Sequence, residues 1–363
     1  MTVTSEGIRR IHVLVVDDSA FMRTALSRMI NCEAEMEVVA TACCASAAFE
    51  KISEFDPDVV TLDVRMPGLD GLDTLRCIMA QSPRPVIIVS AATENGGGAT
   101  LEALSAGAFD CVPKQLSATS LEIAHIRQEL ISKIRTAAIS YRGRSAHIGS
   151  KKPSQSALPA NERLMSAGAA IVAIGISTGG PKALEQILPL FPENFSMPIL
   201  FAQHMPVGFT APLAKRLNSI SSMKVTEALN GELIRPGRTY IAPAGVHLRV
   251  ASRRSDSKPF MILESQPEEA PHRPSVDILM NSVAQLFKSR AIGVIMTGMG
   301  SDGAVGMTSI FRHGGVTIGQ DESSCAVYGM PRVCAELGIL THELSLKEIP
   351  AHIVAAALRR RRA

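Results

Sequence analysis

The chain has 363 residues, 46% of them hydrophobic and 20% charged, which is enough for two folded domains and excludes a disordered protein. The formal net charge of +3 is too weak to indicate a nucleic acid or a membrane surface as partner. The seven cysteines include no CxxC pair, and the sequence has no signal-peptide apolar region. No run approaches the ~20 apolar residues of a membrane helix. These features predict a cytoplasmic protein without direct membrane insertion.

The first part of the chain alternates short apolar runs with helical patterns. The predicted strands are Ile11–Val16, 38–40, Val59–Leu62, Val86–Val89 and 111–112. The predicted helices are Ser19–Asn31, Ala45–Ser53, Gly71–Gln81, Thr100–Gly107 and Ser120–Arg135. Such an alternation predicts an α/β fold, in which a doubly wound parallel sheet carries helices on both faces.

Five polar residues follow or end the strands of this first half: Asp17, Asp18, Asp63, Ser90 and Lys114. The carboxyl ends of parallel strands meet in one crevice, so we expect these side chains to converge. Three carboxylates repel one another unless a cation lies among them, and Mg²⁺ is the natural candidate. A carboxylate beside Mg²⁺ can take up a phosphoryl group, whose oxygens the lysine and the serine would hold. In the alternative interpretation, these aspartates only form the turns that follow the strands.

The motifs VLVVDDSAFMR and TLDVRMPGLDGL resemble the receiver domain of two-component response regulators. The resemblance implies a flavodoxin-like fold with Asp63 as phospho-acceptor and Asp17 and Asp18 as Mg²⁺ ligands. It also implies Ser90 as the switch hydroxyl and Lys114 as the phosphate contact. The chain departs from the receiver pattern twice: Cys111 replaces the usual aromatic switch residue, and Gln115 replaces the proline that usually follows the lysine.

A polar stretch divides the chain, and a second α/β series follows it. Residues 141–159 are rich in Ser, Lys, Arg, Gly and Pro, which predicts a receiver domain at 9–135, a linker at 136–168 and a second domain at 169–363. The second domain's predicted strands are Ile171–Ile176, Pro198–Ala202, Thr239–Ala242, Ile292–Met296 and Val316–Ile318. They predict another doubly wound parallel sheet.

The first of these strands runs into AIGISTGGP, whose residues 175–179 fit the pattern G-x-S-x-G. Small neighbours let the chain turn sharply from strand to helix and expose the serine oxygen, as a nucleophile requires. Taken alone, Ser177 could equally cradle a phosphate or belong to the cap of the predicted helix Lys182–Leu190.

A nucleophilic serine needs a base and an acid that orients it. His204 directly follows a predicted strand at the same sheet edge as Ser177, and Asp302 follows another. His247 and His272 stay open as alternatives for the base, and Asp302 could instead cap the helix Ala304–Arg312. The convergence of three strand ends favours a Ser-His-Asp triad.

The motifs IGISTGGP, FAQHMPVGFTAPLAKRLN and MTGMGSDGAVGM resemble the Rossmann-like catalytic domain of chemotaxis protein-glutamate methylesterases. The resemblance implies hydrolysis of glutamyl γ-methyl esters on chemoreceptors, releasing methanol, and deamidation of receptor glutamines. It implies Ser177 as nucleophile, His204 as base, Asp302 as orienting acid and the Met299 N–H as oxyanion donor. It further implies a chemotaxis histidine kinase as phosphodonor and no cofactor for the esterase step. We expect the resting receiver to hinder access of large substrates to the triad.

Two other classes of protein share parts of this pattern. A response regulator that binds DNA would need a helix-turn-helix or a basic reading helix, whereas the second half has glycine-rich turns after its strands. A nucleotide-binding module with a phosphate loop at GISTGGP would carry the pattern G-x-x-x-x-G-K-[ST], which this stretch lacks. Reaction of Ser177 with a serine-directed phosphonate would distinguish an esterase from both.

Overall fold

The computed structural model describes residues 9–66, 70–90, 94–114, 120–146, 170–253, 257–267 and 269–359. The chain divides into two compact units, residues 1–151 and 152–363. Each unit contains one large sheet of parallel strands with helices between them, so the predicted α/β fold class is confirmed. None of the described helices is long and apolar enough to cross a membrane.

The first unit is built on a parallel sheet with the strand order β2-β1-β3-β4-β5. Its strands are β1 Ile11–Val16, β2 Met36–Ala42, β3 Val59–Asp63, β4 Val86–Ser90 and β5 Asp110–Pro113. Its helices are α1 Ala20–Asn31, α2 Ala45–Phe55, α3 Gly71–Gln81, α4 Glu94–Ala106 and α5 Ser120–Ala146. Strands β3 and β4 are buried along their whole length, as continuous apolar runs covered on both faces should be. The strand order reverses between β1 and β3, which marks the crevice where such sheets bind ligands.

Helix α5 is longer than the sequence analysis predicted. It ends at Ala146 rather than at Arg135, so the first residues assigned to the linker are helical. Ala137 and Ala138 continue its buried face. Arg142 then donates from Nη2 to Oδ2 of the buried Asp58 at 2.7 Å. These tertiary contacts explain why the helix persists through a polar sequence. The rest of the predicted linker lies outside the described residues.

The second unit has a parallel sheet with the order β14-β13-β12-β6-β7-β9-β8 within the described residues. These strands are β6 Ile171–Ile176, β7 Ile199–Gln203, β8 Lys224–Glu227, β9 Arg238–Ile241, β12 Ala291–Ile295, β13 Val316–Gln320 and β14 His342–Leu344. An antiparallel hairpin joins β10 His247–Ser252 to β11 Pro259–Glu264. The helices are α6 Gly180–Ile187, α7 Thr210–Ile220, α8 Val276–Phe287, α9 Ala304–Arg312, α10 Met330–Glu336 and α11 Glu348–Arg359.

Strand β6 occupies the centre of this second sheet and pairs with β12 on one side and β7 on the other. All three strands are fully buried. The chain builds outward from β6 through β7 first and through β12 later, so the strand order reverses at β6. This reversal places the candidate ligand crevice at the carboxyl ends of β6, β7 and β12.

Candidate active site

The structure places the three predicted triad residues after three neighbouring strands. Ser177 follows β6, His204 follows β7, and Asp302 lies in the turn between β12 and α9. The register continues past the strand ends, where the His204 N–H donates to the carbonyl of Ile176 at 3.1 Å. Parallel strands bring their carboxyl ends to one edge, so residues far apart in sequence lie at the same edge of the sheet, where the strand order reverses.

The imidazole of His204 is paired with the carboxyl of Asp302. Nε2 lies 2.8 Å from Oδ2 of Asp302, and the two side chains are only 9% and 7% exposed. Although burial opposes ionisation of Asp302, the hydrogen bond from His204 and backbone N–H donors hold its pKa well below the ordinary value. Asp302 is therefore an ionised acceptor, and Nε2 carries the proton. The second nitrogen, Nδ1, is buried without a hydrogen-bond partner.

Asp302 is held by the beginning of helix α8. Its carboxylate accepts bonds from the Ser275 hydroxyl at 3.0 Å, the Val276 N–H at 2.8 Å and the Asp277 N–H at 3.0 Å. A helix N-terminus presents free N–H groups and a positive dipole end, which stabilise a carboxylate. The alternative in which Asp302 caps α9 is wrong, because the residue before α9 is Gly303 and no side chain caps that helix.

Ser177 lies in a turn that close backbone contacts shape. Its N–H donates to the carbonyl of Thr297 at 3.0 Å, and its own carbonyl accepts from Gly180 N–H at 2.9 Å. The turn needs Gly179 in a left-handed conformation with φ of 78°. It also needs Gly298, where an added Cβ would lie 2.7 Å from Cβ of Ser177. The serine stays half-buried rather than enclosed.

Met299 and the two alternative candidates for the base, His247 and His272, lie near these residues. Met299 follows Gly298, so its backbone belongs to the turn that approaches Ser177. His247 is fully buried, and its Nδ1 accepts from the Ser275 N–H at 3.2 Å, which makes it a support of the loop before α8. The ring of His272 stacks on that of His204 with centroids 4.1 Å apart. The geometry thus favours His204 over His247 and His272 as the base.

Sequence reasoning did not identify the groups that hold Asp302. Ser275 is the N-cap of α8, and its hydroxyl also accepts from the Ile278 N–H. The signal was present as Ser followed by Val-Asp before an apolar run, a common helix start. A helix start does not reveal which distant carboxylate occupies it.

The first unit gathers the predicted carboxylates at the carboxyl end of its sheet. Oxygen atoms of Asp17, Asp18 and Asp63 lie within 4.8 Å of one another; Asp17 and Asp63 are buried, and Asp18 is exposed. The ammonium of Lys114 lies 2.7 Å from Asp17 and 2.6 Å from Asp63. A set of oxygen donors with excess negative charge suits a hard cation such as Mg²⁺, so the residues present fit that ion.

The surroundings of Asp63 complete this second candidate site. Burial raises the pKa of the Asp63 carboxyl above its ordinary value, although the Lys114 ammonium opposes the shift. Ser90 ends β4 and is buried, and its carbonyl accepts from the Lys114 N–H at 2.8 Å. Cys111 is also buried, where receivers usually carry an aromatic residue. Gln115, the other departure, lies outside the described residues.

The two units of the chain match two different protein families. Residues 172–353 match the CheB methylesterase family, and residues 13–125 match the response regulator receiver domain. Protein-glutamate methylesterase/protein-glutamine glutaminase of Pyrococcus abyssi is 42% identical, with 96% of this chain and 94% of the relative covered. An enzyme of Nitratidesulfovibrio vulgaris with the same name, numbered 2, is 43% identical, with 95% and 98% covered.

A solved structure extends the similarity to three dimensions. The crystal structure of the Thermotoga maritima CheB methylesterase catalytic domain aligns with a TM-score of 0.50 and 41% identity. The alignment covers 52% of this chain and 99% of that domain. The chain therefore belongs to the CheB methylesterase family and carries a response regulator receiver domain ahead of its catalytic domain.

Proposed function

We propose that this protein hydrolyses glutamyl γ-methyl esters of chemoreceptors, releases methanol, and deamidates specific receptor glutamines under control of receiver phosphorylation. The observation that carries the proposal is the pairing of His204 Nε2 with Asp302, which leaves the buried Nδ1 without a hydrogen-bond partner. His204 follows β7, the strand paired with β6, which Ser177 follows. An imidazole nitrogen without a hydrogen-bond partner can accept a proton from a hydroxyl group. The names of the family and of the relatives supply the substrate class.

The first half of the reaction transfers the glutamyl group to the enzyme. Nδ1 of His204 takes the hydroxyl proton as Oγ of Ser177 attacks the ester carbonyl carbon. Asp302 stabilises the imidazolium that forms and keeps the ring oriented. The Met299 N–H donates to the developing oxyanion. The carbon–oxygen bond to the methoxy group then breaks, and the proton on Nδ1 leaves with it as methanol.

The second half releases the receptor. Nδ1 of His204 deprotonates a water, which attacks the acyl carbon, and the bond to Oγ of Ser177 breaks. The proton returns from His204 to Oγ, and the product is the glutamate carboxylic acid, which ionises in water. A glutamine side chain follows the same route with ammonia as the leaving group, so one triad serves both reactions.

The receiver site supplies the control. Asp63 is the proposed acceptor of a phosphoryl group from a chemotaxis histidine kinase, with Lys114 and Ser90 as contacts of the phosphoryl oxygens. Asp17, Asp18 and Asp63 would hold Mg²⁺, which neutralises charge on the transferring phosphoryl group when bound. The ammonium of Lys114 already bridges Asp17 and Asp63, so it is placed to respond when the charge of Asp63 changes.

Methanol release from receptor membranes carrying labelled methyl groups tests the proposal directly. We expect release by the full chain to increase with a small phosphodonor and Mg²⁺, and to disappear in the Ser177→Ala variant. The Ser282→Ala variant is a suitable control, since Ser282 is buried in α8 and bonds to the backbone of Val250 and Leu279. Equal release by the Ser177→Ala variant and the unaltered protein would refute the proposed function.

A further inference from the structure

Gln203 is the last residue of β7 and is 1% exposed. Its side-chain Nε2 donates to the carbonyl of Ser177 at 3.0 Å and to the carbonyl of His204 at 2.9 Å. One amide group therefore uses both of its N–H donors on the backbones of the proposed nucleophile and the proposed base. Gln203 lies in the motif FAQHMPVGFTAPLAKRLN, but the family resemblance assigned no role to it.

The two acceptors determine the orientation of the Gln203 amide. Both are carbonyl oxygens, which accept hydrogen bonds and cannot donate them, so the NH₂ group must face them. The oxygen Oε1 is then directed at Gly180, where an added Cβ would lie only 1.9 Å from it. Oε1 is buried without a hydrogen-bond partner, which is unfavourable in itself. The two donated bonds and the surrounding packing hold the side chain in this orientation.

Strand pairing alone does not fix the two catalytic residues relative to each other. The register of β6 and β7 ends with Ile176 opposite Gln203, and the His204 N–H makes one further bond to Ile176. Beyond that point the chain enters α6 on one side and an irregular segment on the other. The Gln203 amide therefore joins the Ser177 and His204 backbones just beyond the last register pair of β6 and β7.

We propose that Gln203 is a positioning residue that sets the distance between Ser177 and the imidazole of His204. The inference rests on the proposed function, because it assigns those two residues as nucleophile and base. Proton transfer between them needs a heavy-atom distance of about 3 Å, and a misplacement of about 1 Å can cost about a hundredfold in rate. Gln203 does not touch substrate in this role.

The first variant to test is Gln203→Met, which removes both donors while keeping a similar volume. We expect kcat to fall about 10- to 100-fold, with KM for the receptor within about twofold. Titration of active sites with a serine-directed phosphonate should show a full complement of reactive Ser177, each reacting more slowly. A loss of folded protein would instead lower the number of titrated sites and leave the rate per site unchanged.

A second variant disturbs the same amide from the other side. Gly180 is the first residue of α6 and is not in a left-handed conformation, so an alanine suits the helix there. The Cβ of Gly180→Ala would meet Oε1 and Cδ of Gln203, at 1.9 and 2.8 Å, and Cγ1 of Ile176 at 3.0 Å. We expect this variant to slow catalysis per active site as well. In a Gln203→Ala background, Gly180→Ala should cost no further activity, because the obstructing amide is gone.

Thr317→Val is the matched control. Thr317 is fully buried in β13 of the same sheet, and its hydroxyl donates to the carbonyl of Ile339 and accepts from the Thr341 N–H. It should lower the melting temperature and keep the rate per active site. The inference is overturned if Gln203→Met reacts at the same rate per active site as the unaltered protein. It is also overturned if Gly180→Ala slows the Gln203→Ala variant as much as it slows the unaltered protein. Absence of methanol release by the unaltered protein would count against the proposed function, whereas the phosphonate rates would still test Gln203.

Discussion

The hydrogen bond between Nε2 of His204 and Oδ2 of Asp302 is 2.8 Å long and nearly excluded from solvent. Asp302 also accepts three bonds from the start of α8, so its two oxygens serve four donors. The imidazole is consequently anchored through Nε2, and Nδ1 is the nitrogen to which the proposed mechanism assigns proton transfer. The start of α8 holds the carboxylate to which Nε2 is bonded.

Loss of the nucleophile or the base should be severe. We expect Ser177→Ala and His204→Ala each to lower kcat by at least about a thousandfold, because an unassisted hydroxyl is a poor nucleophile at neutral pH. The losses should not add in the double variant, since the residues act as a unit. Methanol release is the measurement, and circular dichroism should show an unchanged fold. Near-normal turnover by either single variant would contradict the assignment.

Asp302→Asn should cost less activity than loss of Ser177, but it should also lower stability. The amide has one carbonyl oxygen and no charge, so it cannot satisfy four donors as the carboxylate does. We expect a lower melting temperature of the catalytic unit together with a reduced kcat. A variant that lost activity and melted at the unaltered temperature would show that α8 does not depend on the charge of Asp302.

Asp277→Asn should stabilise the catalytic unit at neutral pH. Burial raises the pKa of Asp277 to about 6, and the neighbouring Asp302 carboxylate adds to the shift. A carboxyl group whose pKa is raised by folding destabilises the folded state when it is ionised. This loss of stability is absent below the ordinary carboxyl pKa of about 4 and is complete above about 6. Because Asp277 is partly exposed, solvent screens its charge, and we expect the variant to gain about 2–4 °C in melting temperature.

Melting curves of the Asp277→Asn variant at two pH values provide the measurement. The gain should be present at pH 7.5, where the aspartate is ionised, and should be much smaller at pH 4, where it is largely protonated. The asparagine oxygen can still accept from the Gly306 N–H, which donates to Oδ1 of Asp277 at 2.7 Å. An equal gain at both pH values would show that charge is not its cause.

Phosphorylation should depend on Asp63 and on a divalent cation. A small phosphodonor with Mg²⁺ should label the chain, and Asp63→Asn should abolish the label because the nucleophilic carboxylate is lost. The control is Asp56→Asn, which alters an exposed carboxylate paired with Arg84. Asp56 follows α2 and precedes β3, whereas Asp63 is the last residue of β3. Labelling that persists in EDTA would argue against a metal held by Asp17 and Asp18.

The receiver should restrain the catalytic unit until it is phosphorylated. We expect a fragment that begins near Ala160 to demethylate receptors faster than the resting full chain, and phosphorylation to bring the full chain toward the fragment's rate. Activity on a small ester should change much less if the restraint acts on access of a large substrate. A fragment no faster than the resting protein on receptors would exclude this form of inhibition.

Much of the fold and most of the candidate site could be predicted locally. Apolar runs that end in a polar residue predicted β6, β7 and β12, and Ser177, His204 and Asp302 lie after them as expected. Alternation of strands and helices implies parallel pairing, and parallel pairing brings strand ends to one edge. The predicted end of helix α5 at Arg135 was wrong because Arg142 is held by Asp58, a contact across 84 positions of sequence.

The sequence by itself determined which residues end the strands, because hydrophobic periodicity and glycine turns are properties of neighbouring positions. Only the tertiary structure decided how those residues are held. The attachment of Asp302 to α8, the pairing of Nε2 rather than Nδ1 of His204, and the Gln203 amide bridging two backbones all join groups that are distant in the chain or on different strands. Hydrogen bonds of this kind need donor–acceptor distances that are correct to a few tenths of an ångström and nearly linear angles. Such geometry arises only when packed strands and helices fix the backbone.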